Sequence, residues 1–149
     1  MSRFLWTQIE DIGPSARFGH AMTYDTVRSR SILFGGSLLI GGASGSVNDT
    51  WEWNGEFWTQ MANSGPAARQ DHALCFDSVR QTALLFGGLS EQNSPLGDTW
   101  SWDGEGWTQL GDSVSKHSRT LPRDKERSLR SNCASALRCK RTWTKFTRT

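Results

Sequence analysis

The sequence predicts an all-β protein whose main part is two four-stranded antiparallel units set side by side. Internal repetition is the first observation behind this. Trp6, Thr7 and Gln8 return as Trp58, Thr59 and Gln60, and a third copy opens at Trp107, Thr108 and Gln109. Between Trp6 and Gly36, 16 of 31 positions are identical to their partners 52 residues later, far beyond chance. A block around Asp49, Thr50, Trp51 and Trp53 returns at a spacing of 49, so one connection has lost three residues. The second observation is a turn pair in each copy, Asn54 with Gly55 and Asp103 with Gly104, between aromatic runs, which is a strong short-range hairpin signal. A repeat near 50 residues built of short strands indicates a propeller-type array, in which each unit buries its faces against its neighbours.

The elements follow in order. Residues 4–9 carry the first Trp-Thr-Gln marker and read as an outer strand left without a blade of its own. The first blade spans about 17–61. Within it, 17–24 is a run of aromatic and small apolar residues, and 25–30 is a polar turn. Residues 31–36 form a short apolar strand stopped by glycines, and 37–48 is a loop rich in Gly and Ser with an unusual Leu38, Leu39, Ile40 triplet. Residues 50–53 alternate aromatic and charged side chains with period 2, as a half-buried strand does. Asn54 and Gly55 predict a type I′ turn, after which 57–60 returns as the fourth strand. The second blade, about 69–110, repeats this plan with a shorter connection at 89–97. Four antiparallel strands per unit make one propeller blade.

The recurring Gly13 and Pro14, Arg17, His20, the Phe-Gly-Gly ending at Gly36, the block from Asp49 to Gly55 and the Trp-Thr-Gln marker resemble the kelch motif. They resemble in particular the variety in the propeller of galactose oxidase. The resemblance covers residues 6 to about 110. It implies that the strands with Arg17 and Arg69 are innermost and those with Trp58 and Trp107 outermost. The predicted architecture is then a partial kelch-type propeller: two blades, an unpaired N-terminal strand, and a basic tail at 111–149 of low order.

Each motif residue is read as scaffold. Gly35, Gly36, Gly87 and Gly88 supply special backbone angles and close blade packing, because no helix follows to make a phosphate cradle. Arg17, Arg69, His20 and His72 recur at the same place in each copy. A catalytic residue is normally unique and a scaffold residue repeats, so these four are assigned structural roles, such as bonding to carbonyls of a neighbouring blade. Trp51, Trp53, Trp58, Trp100, Trp102 and Trp107 are blade filling, since aromatic side chains bury much area in thin sheets.

Catalysis is not expected. The copper site implied by the galactose oxidase resemblance needs two Tyr, two His and a Cys linked to one Tyr; this chain has one tyrosine, Tyr24, inside the repeat. No Gly-x-Ser-x-Gly, His-Glu-x-x-His or phosphate-binding loop occurs. No cofactor and no metal site is predicted. The function expected is a non-catalytic binding scaffold of kelch type, with protein partners contacted through the two variable connections, 37–48 and 89–97.

Composition breaks near residue 111. Residues 1–110 hold 6 Lys and Arg against 12 Asp and Glu, whereas 111–149 hold 11 against 3. Three readings of the basic segment stay open: an out-of-frame or eroded repeat, a functional arm for nucleic acid or an acidic surface, and part of a chain that completes its ring by self-association. The alternative function is therefore a nucleic-acid- or acidic-surface-associated protein acting through this segment, although it lacks regular aromatic interleaving and nucleic acid is not the expected partner. Cys133 and Cys139 have no zinc spacing, and Cys75 reads as a small buried side chain in a strand. No signal peptide and no membrane-spanning apolar stretch is visible, which leaves the compartment unknown and the cytoplasm as the default.

Overall fold

The computed structural model describes residues 12–111, apart from the side chain of Ile40. The outer strand expected at 4–9 and nearly all of the basic segment lie outside the described residues. Eleven strands and no helix occupy the described part. They are β1 (Arg17–Phe18), β2 (Ala21–Asp25), β3 (Arg30–Phe34), β4 (Ser37–Ile40), β5 (Ala43–Ser46), β6 (Thr50–Trp53), β7 (Trp58–Ala62), β8 (Ala73–Asp77), β9 (Thr82–Phe86), β10 (Thr99–Trp102) and β11 (Trp107–Gly111).

Two four-stranded antiparallel sheets, in the orders β2-β3-β6-β7 and β8-β9-β10-β11, correspond to the two predicted blades. Their registers are the same at matching positions, with Trp53 opposite Trp58 and Trp102 opposite Trp107. A register shift falls between Thr50 and Trp51 in one sheet and between Thr99 and Trp100 in the other. β2 and β8, the edge strands that follow the repeated arginines, lie against each other, while β7 and β11 form the opposite edges. The arginines themselves are placed differently from the expectation. Arg17 belongs to the short β1, and Arg69 lies in the segment just before β8.

Within each sheet alternate side chains face opposite ways. Ile32, Phe34, Thr50 and Glu52 of the first sheet meet Leu74, Ala83, Leu85 and Trp102 of the second, and this seam holds the buried core. Polar groups in it are matched. Trp102 Nε1 donates to Glu52 Oε1 at 3.0 Å, and Trp107 Nε1 donates to Thr50 Oγ1 at 2.8 Å. Phe34 stands edge-on to His72 and to Trp107, with ring centroids 5.4 and 5.1 Å apart. Backbone links cross the seam as well: Gly36 N–H donates to the Arg69 carbonyl at 2.9 Å, and Asp71 N–H to the Gly19 carbonyl at 2.8 Å.

The structure corrects three local expectations. The stretch 37–48 is mostly a hairpin, not a loop: β4 pairs with β5, and β1 joins them in a three-stranded sheet. Gly41 and Gly42, at φ 60° and 87°, form its two-residue turn, so the primed turn sits there. Around Asn54 the connection is instead four residues long, because Trp53 pairs with Trp58. Only Gly55 has positive φ, and the Asn54 side-chain oxygen accepts from the N–H groups of Glu56 and Phe57 at 2.8 and 2.9 Å. Asp103 does the same for Glu105 and Gly106. Cys75, expected as a buried strand residue, is half-buried in β8 and is not a free thiol.

Candidate functional site

The repeated Arg, Asp and Trp form one unit, built twice. Arg17 forks onto Asp49, with Nη1 to Oδ1 at 2.6 Å and Nη2 to Oδ2 at 2.9 Å, and its Nη1 also donates to the Gly35 carbonyl at 3.0 Å. Trp51 Nε1 completes the set by donating to Asp49 Oδ2 at 2.6 Å. In the second copy Arg69 forks onto Asp98 at 2.6 and 2.8 Å, reaches the Gly87 carbonyl at 2.9 Å, and Trp100 donates to Asp98 at 2.7 Å. Bidentate pairing of this kind is directional as well as strong. The side chains thus tie the segment before the edge strand to the diglycine of their own copy. It is the backbone of Arg69 that reaches the neighbouring sheet. Asp49 and Asp98 were visible in the sequence as repeat markers, but composition gives no hint that they receive the arginines.

The other repeated residues also serve the frame. A Cβ on Gly36 would lie 2.8 Å from the Phe18 carbonyl, and one on Gly88 2.7 Å from the Gln70 carbonyl, with φ at 97° and 101°. Backbone strain of this kind costs about 1–3 kcal/mol. Gly88→Ala is therefore expected to destabilise by more than Gly55→Ala, which shares the positive φ but has open space around it. Urea midpoints of the two variants check this, and equal losses would remove the close-approach argument. His72 is buried against Phe34, whereas His20 is exposed. Trp53 leans on Trp58 with centroids 5.6 Å apart, as Trp102 does on Trp107 at 5.4 Å.

Electrostatics follow from these contacts. Burial alone would raise the Asp49 carboxyl, but hydrogen bonds from Arg17 and Trp51 outweigh it and hold it below the ordinary carboxylate range. Asp98 is lowered first by the Arg69 hydrogen bonds, against burial. Burial would likewise raise Asp25 and Asp77, and bonds from the backbone and side chains of Arg28 and Arg80 bring them below normal. A carboxyl whose pKa is lower in the folded state stabilises the fold above its unfolded value and loses that contribution as pH falls through the folded value. His20, though exposed as a residue, is lowered first by partial desolvation of its ring and then by the Arg17 charge, so acid opposes folding there as well. Stability should therefore hold near neutrality, begin to fall below the unfolded His value of 6.5, and fall most below the unfolded Asp value of 3.8. Thermal unfolding across this range checks the direction, and a midpoint that rises on acidification would contradict it.

The variable connections come together at one end of the sheets. The β4–β5 hairpin leaves the first sheet beside the 89–97 connection, where Leu89 bridges to Gln70 and to Pro95 as a reduced version of the same arrangement. A carbon added at Gly45 would sit 3.9 Å from Glu91 Oε1, so the two connections are neighbours. Leu39 is 69% exposed and Phe18 is 51% exposed there. Among the described residues no group of three or more His, Cys, Asp or Glu side chains converges to hold a metal ion, and no helix is long and apolar enough to cross a membrane.

The fold is thus a propeller-like pair of repeated antiparallel sheets. No family model and no curated protein matches the chain. Among solved structures it is similar to one titled "Structure of YjhT", at 14% sequence identity and a TM-score of 0.57. That match covers 66% of this chain, which spans only 39% of the other. Identity this low shows a shared fold alone.

Proposed function

We propose that the chain is a non-catalytic binding scaffold of kelch type that contacts a protein through the end carrying the β4–β5 hairpin and the 89–97 connection. One observation carries the reading. The two segments that differ between otherwise matching copies lie side by side, with Leu39 and Phe18 exposed and Glu91 at their border. The charged groups beneath them support it, since Arg17 with Asp49 and Arg69 with Asp98 are spent on each other. They serve as a rigid base for the connections and present no group for acid–base chemistry. A small apolar knob edged by a carboxylate suits a protein surface with an apolar dimple and a basic rim.

The test is a comparison of the parent chain with Leu39→Asp. A protein retained by the parent is identified by mass spectrometry, purified, and titrated against both chains by calorimetry. Burying a Leu side chain contributes about 1.5–3 kcal/mol, so Leu39→Asp should weaken binding about tenfold or more. Equal affinities would remove the hairpin from the contact surface. Binding to duplex DNA that survives Leu39→Asp and falls steeply with added salt would favour the basic segment instead.

A further inference from the structure

We infer that the segment beyond residue 111 is clasped over the far face of the second sheet by a disulfide from Cys75 to Cys133 or Cys139, and that a dithiol reductant releases it. The inference concerns this face, not the hairpin end, and stands apart from the proposed function. Cys75 in β8 is disulfide-bonded, and Cys133 and Cys139 are the other two cysteines of the chain. A bond within one chain therefore has to run to one of them.

The face itself carries a second sign of a cover. Leu84 in β9 stands between Cys75 of β8 and Ser101 of β10, on the side away from the seam. It is only 7% exposed, although the first sheet packs on the opposite side. On the first sheet's far face Leu33 is buried too, but there Met22 and Trp51 flank it and are large enough to close over it. Cys75 and Ser101 are too small to do the same for Leu84. Phe86, two residues further along β9, is 57% exposed, so the cover is local to the middle of the face, beside Cys75.

Charge and reach fit the same occupant. Residues 1–110 hold 12 acidic against 6 basic side chains, and 111–149 hold 11 basic against 3 acidic, so the segment is attracted to the body it leaves. From the end of β11 at Gly111 the chain has to recross three strand spacings, about 15 Å, to reach β8. The roughly 20 residues between Gly111 and Cys133 span about 70 Å when extended, several times what is needed. The bond closes a loop of roughly 60 residues, and cross-links over long loops remove the most freedom from the unfolded chain. Release needs a dithiol. One of its thiolates attacks a sulfur of the bond, forming a mixed disulfide and expelling one protein thiolate, and its second thiolate then expels the other. The protein gains two electrons and two protons as two thiols, and the reductant is left as one disulfide. The basic side chains are then free to leave the acidic body.

Peptide mapping of the full chain reads the bond directly. The chain is equilibrated in a glutathione redox buffer, free thiols are alkylated, and a tryptic digest is weighed by mass spectrometry without reduction. Peptide 70–80 should appear linked to 131–138, which holds Cys133, or to 139–140, which holds Cys139. Either link supports the clasp and names its cysteine. Release is read on the intact chain: brief trypsin treatment should cut within 112–149 several-fold faster after reduction by dithiothreitol, and the urea midpoint should fall. Cys75→Ser should behave as the reduced parent in both measurements, with or without dithiothreitol. Cys75 alkylated as a free thiol, a link between Cys133 and Cys139, or a bond between two chains overturns the inference. So does a mapped link whose reduction leaves the cutting rate unchanged, since the bond would then hold nothing down. If Cys75→Ser lacks the parent's circular dichroism, the mapping and the reduction of the parent still decide.

Discussion

Replacing Arg69 by Met is expected to remove about 3–5 kcal/mol of folding stability, the cost typical of breaking a buried ion pair by deleting one partner. Arg69 has no exposed surface, and its guanidinium satisfies both oxygens of Asp98 and the Gly87 carbonyl. Without it the carboxylate keeps only the Trp100 indole N–H and loses its charge partner. A domain of about 100 residues has roughly 5–15 kcal/mol of total stability, so the variant should be close to unfolding at room temperature. Arg69→Lys keeps the charge without the two-pronged geometry and should fall between. Arg17→Met removes the same bonds from a pair that is 4% and 16% exposed at its side chains, and its backbone has no role at the seam. Its loss should be smaller. Urea unfolding followed by tryptophan fluorescence ranks the three. A loss below about 1 kcal/mol for Arg69→Met would show that the pair does not hold the frame, as is usual for surface pairs.

Much of this frame was legible in the chain. The strands of both sheets and the identical hairpin registers follow from self-similarity, because a repeated sequence must find the same local solution twice; boundaries hold within two residues except for the run at 17–24, where the sheet strand begins only at Ala21. The repetition also separated scaffold from surface: Arg17 and Arg69 sit in equal surroundings, and the unequal connections meet at one end. What stayed hidden depends on through-space pairing. Asp49 receives Arg17 across 32 residues, a distance over which local pattern carries no signal. The hairpin at 37–46 was hidden because its turn, Gly41 and Gly42, lies in a stretch whose Gly and Ser content reads as loop. The type I′ expectation at Asn54 failed for a related reason: a side-chain oxygen able to cap two N–H groups makes a longer connection as good as the tight one. In the sequence Glu52 stands only as a charged position in the period-2 alternation of 50–53. Its 6% exposure comes from the second sheet, which the period-2 pattern of one strand does not reveal.

Trp102→Phe should be the second most damaging change, at about 2–4 kcal/mol, while the same change at its counterpart Trp53 should cost well under half as much. Trp102 is 1% exposed in the seam, so truncation leaves part of the indole volume empty, and cavity formation adds to the lost transfer energy. It also deprives Glu52 of its donor, and a buried polar group left without a partner costs about 1–3 kcal/mol. The two contributions can be separated. Adding Glu52→Leu to Trp102→Phe removes the orphaned acceptor and should recover the polar part, leaving the cavity part in place. Trp53 makes the same contact with its strand partner, Trp58, but is half-buried on the first sheet's other face, and among the described residues its indole donates no hydrogen bond. The contrast isolates burial from sequence, because the two residues occupy the same place in the repeat. If Trp53→Phe proved as costly as Trp102→Phe at concentrations where the chain is monomeric, the first sheet's outer face would be covered within one molecule. The seam would then not be the distinctive source of stability.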